Sequence, residues 1–90
     1  MSAVRIPPTL RAATGGEKRV TVSGATVGEV VTGLVATYPA LHEQLLDAQG
    51  ALNRFVNVFL NETDIRHLSG LDTPVGESDQ LLLLTAMAGG

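Results

Sequence analysis

The residues best placed to do chemistry stand at the carboxyl end, Ala86-Met87-Ala88-Gly89-Gly90. Past Leu84 every side chain except Met87 is small, and the last two residues have none. Without a Cβ, Gly89 and Gly90 can enter a channel too narrow for other residues and take backbone angles those residues avoid. The terminal carboxylate is then open to attack from either side, as in a substrate that another protein's active site grips. Other candidates fail on spacing. His42 and His67 form neither the two-histidine helical pair nor the Cys/His cluster that a zinc site needs. Ser23, Ser69 and Ser78 lack the flanking glycines of a nucleophile elbow. Glu62 with Asp64, and Glu77 with Asp79, fall in turn-like stretches where carboxylates are solvated or shape the loop. No cysteine is present, so there is no thiolate nucleophile, disulfide framework or Cys-ligated metal. The pattern predicts no catalytic group and no metal ligand in this chain, only a reactive end.

The elements that hold this end must come from one small domain. Ninety residues allow a single core, and a large catalytic cleft is not expected at this size. A hydrophobic fraction of 44% against 17% charged is globular and far from disordered composition. Six Lys and Arg against nine Asp and Glu give a net charge of -3, so no basic field gathers phosphates or anionic lipid; neither nucleic acid nor a membrane is an expected partner. No apolar run approaches transmembrane length, the amino terminus does not have a signal peptide's pattern, and no segment repeats. A reducing cytoplasm fits these features and the lack of cysteine.

Hydrophobic period and punctuation give the element order. Val4 to Ile6 reads as a short strand stopped by Pro7-Pro8. A turn at Thr14-Gly15-Gly16-Glu17 leads to Arg19-Val20-Thr21-Val22-Ser23, whose alternation is that of a half-buried strand. Thr26 stands three residues before Glu29, the spacing of a capping box, and Val27, Val30, Val31, Leu34 and Tyr38 form one apolar stripe. Pro39 ends that helix near Thr37 or Tyr38. Leu41, Leu45 and Leu46 suggest a further helical turn, and Asp47 to Asn53 a loop around Gly50. Phe55 to Leu60 is the strongest strand, Asp64-Ile65-Arg66 a short return strand, and Gln80 to Thr85 a last strand whose run Leu81 to Leu84 suits burial on both faces. Strands and one amphipathic helix in this order predict an α+β fold, a sheet of about four or five strands covered on one face by the helix.

That arrangement leaves apolar groups over. Val56, Val58 and Leu60 can face the helix, but Phe55, Phe59 and half of Leu81 to Leu84 then face outward, and one helix cannot cover two faces. An exposed apolar patch that docks a partner is expected, with Phe55, Phe59, Leu81 and Leu83 as its apolar contacts. Arg54 and Arg66 flank it and could meet a partner's carboxylates.

The run Arg54 to Asn61, then Asp64-Ile65-Arg66, Gly70-Leu71-Asp72-Thr73-Pro74 and the closing Ala86 to Gly90 resemble the ubiquitin-like β-grasp sulfur carriers, among them the mycobacterial-type carrier for cysteine synthesis. Ile6-Pro7, Leu10-Arg11 and Thr14-Gly15-Gly16 extend the resemblance over nearly the whole chain. Two departures stand out: Thr85 replaces the proline often found before the tail, and Glu77-Ser78-Asp79 replaces a Gly-Asp turn. The resemblance implies a β-grasp domain over 1–85 and a flexible reactive tail over 86–90. It implies that Gly90 is adenylated by a ubiquitin-activating-type enzyme using ATP and becomes a thiocarboxylate, with Gly89, Ala88 and Met87 threading the enzyme's channel. The chain would then be a protein co-substrate with no permanent cofactor, handing its sulfur to a biosynthetic enzyme for cysteine or another metabolite. Two other roles of such folds stay open, the small subunit of molybdopterin synthase and a modifier joined to target lysines. Lys18, the one lysine here, would be the sole site for building chains.

Overall fold

The computed structural model describes residues 2–85. Five strands, β1 (Ser2–Arg5), β2 (Arg19–Val22), β3 (Val56–Leu60), β4 (Thr63–Asp64) and β5 (Gln80–Thr85), form one mixed sheet in the order β2-β1-β5-β3-β4. Strand β5 lies in the middle, parallel to β1 and antiparallel to β3. Helix α1 (Val27–Thr37) covers one face, and a one-turn α2 (His42–Leu45) follows it.

Local chemistry accounts for the boundaries. The Thr26 hydroxyl caps α1 by accepting from the Glu29 amide at 3.2 Å. The Glu29 carboxylate returns to the amide of Ala25 at 3.1 Å, one residue before the cap itself. Tyr38, ahead of Pro39, leaves helical geometry at φ -125 and ψ 80, as a residue before proline should. The stripe on α1 packs as its spacing predicts: Val27, Val30, Val31 and Leu34 are buried against Val4, Val58, Leu81 and Leu83. Gly24 lets the chain pass close under the first turn of α1, where a Cβ would stand 2.8 Å from the Val30 backbone nitrogen.

Three expectations change. Pro8–Thr14 is a 3-10 helix that the sequence pattern does not announce, with Leu10 and Thr14 buried beneath it. The return strand is shorter than Asp64 to Arg66, because the Asp64 carboxylate accepts from the Arg66 amide at 2.8 Å and turns Ile65–His67 into a 3-10 turn. The third concerns β5, which is buried on one face only. Leu81 and Leu83 are each 1% exposed and belong to the core beneath α1, whereas Leu84 is 40% exposed. Leu81 and Leu83, expected on an exposed patch, therefore lie in the core instead: the exposed Gln80 at the start of β5 fixes its parity, and Leu82 and Leu84 share Gln80's side.

Candidate functional site

The tail residues Met87, Ala88, Gly89 and Gly90, expected to form the reactive end, lie outside the described residues. What the structure describes is the platform from which they leave. Thr85, the last residue of β5, pairs with Val56 of β3. Its hydroxyl lies 2.9 Å from that of Thr9, on the 3-10 helix at the other side of the sheet centre. This contact stands at the position where the resemblance expects proline, and it holds the root of the tail from two directions.

The face of the sheet opposite α1 is open. Register places Arg19, Arg5, Leu82, Phe59 and Asp64 in one row across all five strands, and Leu84 beside Asn57 in the next. Leu82 and Phe59 are half-buried by their neighbours, while Leu84 and Phe55 remain 40% and 41% exposed. Phe55 immediately precedes Val56, the partner of Thr85, so the exposed ring stands near the tail's root. A hollow lined by Arg5, Phe59, Glu62, Gln80, Leu82 and Leu84 runs along this face.

Of the six docking residues expected from sequence, Phe55 and Phe59 thus lie outside the core, while Leu81 and Leu83 lie within it. The leucines of β5 that do reach the open face are Leu82 and Leu84, which the polar Gln80 could have identified through strand alternation. Arg54 keeps its guanidinium 5.2 Å from the Phe55 ring centroid, over an exposed aromatic face. Arg66 turns its donors to its own chain: it forms an ion pair with Asp64 at 3.0 Å and donates to the side-chain carbonyl of Asn57. The Arg66 side chain, and then its backbone amide, hold the Asp64 carboxyl below the usual carboxylate range; Asp64 in turn makes Arg66 hold its proton more tightly. Asp79 is held low in the same way by the Gly76 amide and by Asn61, a network that fastens the loop before β5. His42 and His67 are both exposed, and among the described residues no three His, Asp or Glu side chains gather as metal ligands. Among those residues, too, no helix is long and apolar enough to cross a membrane.

A five-stranded mixed sheet with a central β5 and one long helix across a single face defines a ubiquitin-like β-grasp protein. The model of the ThiS family matches residues 4–90, and the chain belongs to that family. It is 44% identical over 89 residues to the sulfur carrier protein CysO of Mycobacterium tuberculosis, covering 97% of this chain and 96% of that one. In a crystal structure of the Amycolatopsis orientalis BexX/CysO complex, one chain matches with a TM-score of 0.90 and 39% identity, each chain covered in full. The small archaeal modifier protein 1 of Methanosarcina acetivorans matches with a TM-score of 0.86 and 32% identity, covering 99% of this chain and 95% of that one. The chain is thus of the sulfur-carrier class, a small protein substrate rather than an enzyme.

Proposed function

We propose that Gly90 is the site at which this chain is charged with sulfur. A ubiquitin-activating-type adenylating enzyme directs the Gly90 carboxylate onto the α-phosphate of ATP, releasing pyrophosphate and leaving an acyl-adenylate. A sulfide-level donor then attacks the acyl carbon, AMP departs, and a terminal thiocarboxylate remains. Carboxylate is a poor electrophile until it carries such a leaving group, and the thiocarboxylate afterwards keeps sulfur as a nucleophile tethered to a protein. Gly89, Ala88 and Met87 thread the enzyme's channel, which their small or unbranched side chains allow. Phe55, Phe59, Leu82 and Leu84 on the open face, with Arg54 and Arg66 beside them, form the docking surface. The domain over 1–85 thus supplies recognition and the tail over 86–90 supplies reactivity, in the cytoplasm. No resident cofactor is needed, because ATP is held by the activating enzyme. A biosynthetic enzyme then takes the sulfur, for cysteine or another metabolite; that the similar CysO of A. orientalis forms a complex with BexX supports a stage in which the carrier docks on a partner protein.

The observation that carries this reading is the Gly89-Gly90 pair, four and five residues beyond the end of a firmly held β5, in a chain of the ThiS family. Intact-mass measurement after incubation with an adenylating enzyme of this class, ATP and sulfide tests it. The expected product has gained the difference between one sulfur and one oxygen, and a chain carrying one extra alanine after Gly90 stays unmodified. Likeness to a small archaeal modifier protein supports a second reading, transfer of the Gly90 acyl group to lysines. Gly-Gly remnants on target lysines would mark that outcome.

A further inference from the structure

Four of the six basic residues of this acidic chain stand together. Arg5, Arg11, Lys18 and Arg19 line one hollow with Pro7, Pro8, Gln80, Leu82 and Leu84, and no acidic side chain shares its lining. The fold gains nothing from this concentration. Arg5 and Arg19 are directly opposite each other on β1 and β2, a cross-strand position where like charges destabilise a sheet. Arg5, Lys18 and Arg19 are exposed, and none of the four is ion-paired among the described residues. Arg11 is the best held, its Nε donating to the Ile6 carbonyl at 3.1 Å, which fixes its guanidinium beside the hollow. Leu82 and Leu84 belong at once to this hollow and to the apolar surface of the open face, so cations and apolar contacts form one continuous platform.

We propose that the β1–β2 end of the open face receives a carboxylate-rich segment of the partner protein, which adds electrostatic steering to the apolar docking described above. The inference rests on that docking reading and names the chemistry of the partner's surface. A paired Arg5 and Arg19 would repel each other less once a carboxylate sits between them, so the strain on the free sheet is relieved by association. Nucleic acid is the weaker source of negative charge, since the net charge of -3 repels an extended polyanion.

Arg19→Glu is the decisive variant, because it places opposite charges face to face on β1 and β2. Its melting temperature is expected to equal or exceed that of the parent chain, while its association rate with the adenylating enzyme falls by about tenfold at low salt. In about 1 M salt, where charges are screened within about 3 Å, the two rates should converge. Equal rates at every salt concentration would overturn the proposal. Amide chemical shifts supply a measurement that needs no enzyme: a glutamate-rich peptide should shift Arg5, Arg11, Lys18 and Arg19, and a glutamine-rich peptide should not. Inorganic phosphate shifting the same amides as strongly as the peptide would mean a small-anion site and would refute the assignment. If the parent chain never gains sulfur yet the peptide shifts appear, the sulfur-charging reading fails and this one stands; normal charging with no salt-sensitive defect in Arg19→Glu gives the reverse.

Discussion

Leu83 and Leu84 are adjacent on β5 and chemically identical, so truncating each to alanine separates core from docking surface. Leu83 is 1% exposed beneath α1, and removing its isobutyl group there leaves a cavity that the valines of α1 and β3 fill only in part. The cost of such a truncation is about 3–5 kcal/mol. At about 4–8 °C per kcal/mol for a domain of this length, Leu83→Ala should lower the melting temperature by more than about 12 °C. Leu84 is 40% exposed, and water occupies the space its side chain vacates. Leu84→Ala should therefore cost only about 1 kcal/mol of stability. Its effect belongs to association. Burying a leucine or phenylalanine completely is worth about 1.5–3 kcal/mol, and about two-fifths of that remains to be gained at Leu84 and at Phe55 when a partner covers them. Each contributes about 1 kcal/mol, so the double variant Phe55→Ala/Leu84→Ala should weaken binding to the adenylating enzyme by about 30-fold. Differential scanning calorimetry and a binding titration with the same samples read both quantities. The reasoning is refuted if Leu84→Ala melts as low as Leu83→Ala, or if the double variant binds within twofold of the parent chain while remaining folded.

Three further outcomes follow from single contacts. Gly24→Ala forces a Cβ to 2.8 Å from the Val30 backbone nitrogen, and the shift needed to relieve it should cost about 1–3 kcal/mol in chemical denaturation. Thr26→Ala removes the cap on the Glu29 amide and should cost about 1 kcal/mol by the same measurement. Asp64 and Asp79 are held below the usual carboxylate range in the folded state, so the stability they supply is present above the unfolded value of about 4 and is lost as pH falls through the lower folded value. Melting temperature should thus stay level above about pH 5 and decline below about pH 4, and Asp79→Asn should flatten part of the decline.

How much of this was legible depended on whether a signal was local. The capping spacing of Thr26 and Glu29, the stripe on α1 and the proline after Tyr38 act within a few residues, and the helix formed where they place it. The phase of β5 was harder, because four consecutive leucines carry no alternation of their own. Only Gln80 before them, and pairing with β1 and β3, decide which leucines turn inward. The 3-10 helix at Pro8–Thr14 left no periodic trace, since about two turns with one buried apolar residue, Leu10, are too short to set a period. Its stop is chemical: Gly15 at φ 67 accepts a left-handed bend that a side chain would resist. The basic hollow was illegible for a different reason. Arg5 and Arg19 are fourteen positions apart in sequence and meet only through the β1–β2 register.

The sheet order also sets how firmly the root of the proposed reactive tail is held. A terminal strand usually sits at an edge or frays, because its last residues are held from one side. Here β5 is central, with β1 along its first half and β3 from Leu81 to Thr85. Freeing Leu81 or Leu82 requires breaking pairing on both sides, so opening of β5 costs nearly as much as opening the core itself. Leu83, Leu84 and Thr85 depend on β3 alone for their ladder, and at Thr85 the Thr9 hydroxyl supplies a second neighbour. In the docking proposed above, an enzyme seated on Leu84 and Phe55 meets Thr85 at a fixed place, and the five residues beyond Thr85 then set how far its active site lies from that surface. At about 3.3–3.6 Å per extended residue that reach is about 17 Å, so inserting two glycines between Thr85 and Ala86 should leave docking affinity unchanged while slowing adenylation. Faster or unchanged adenylation with the lengthened tail would show that the distance is not set by the fold.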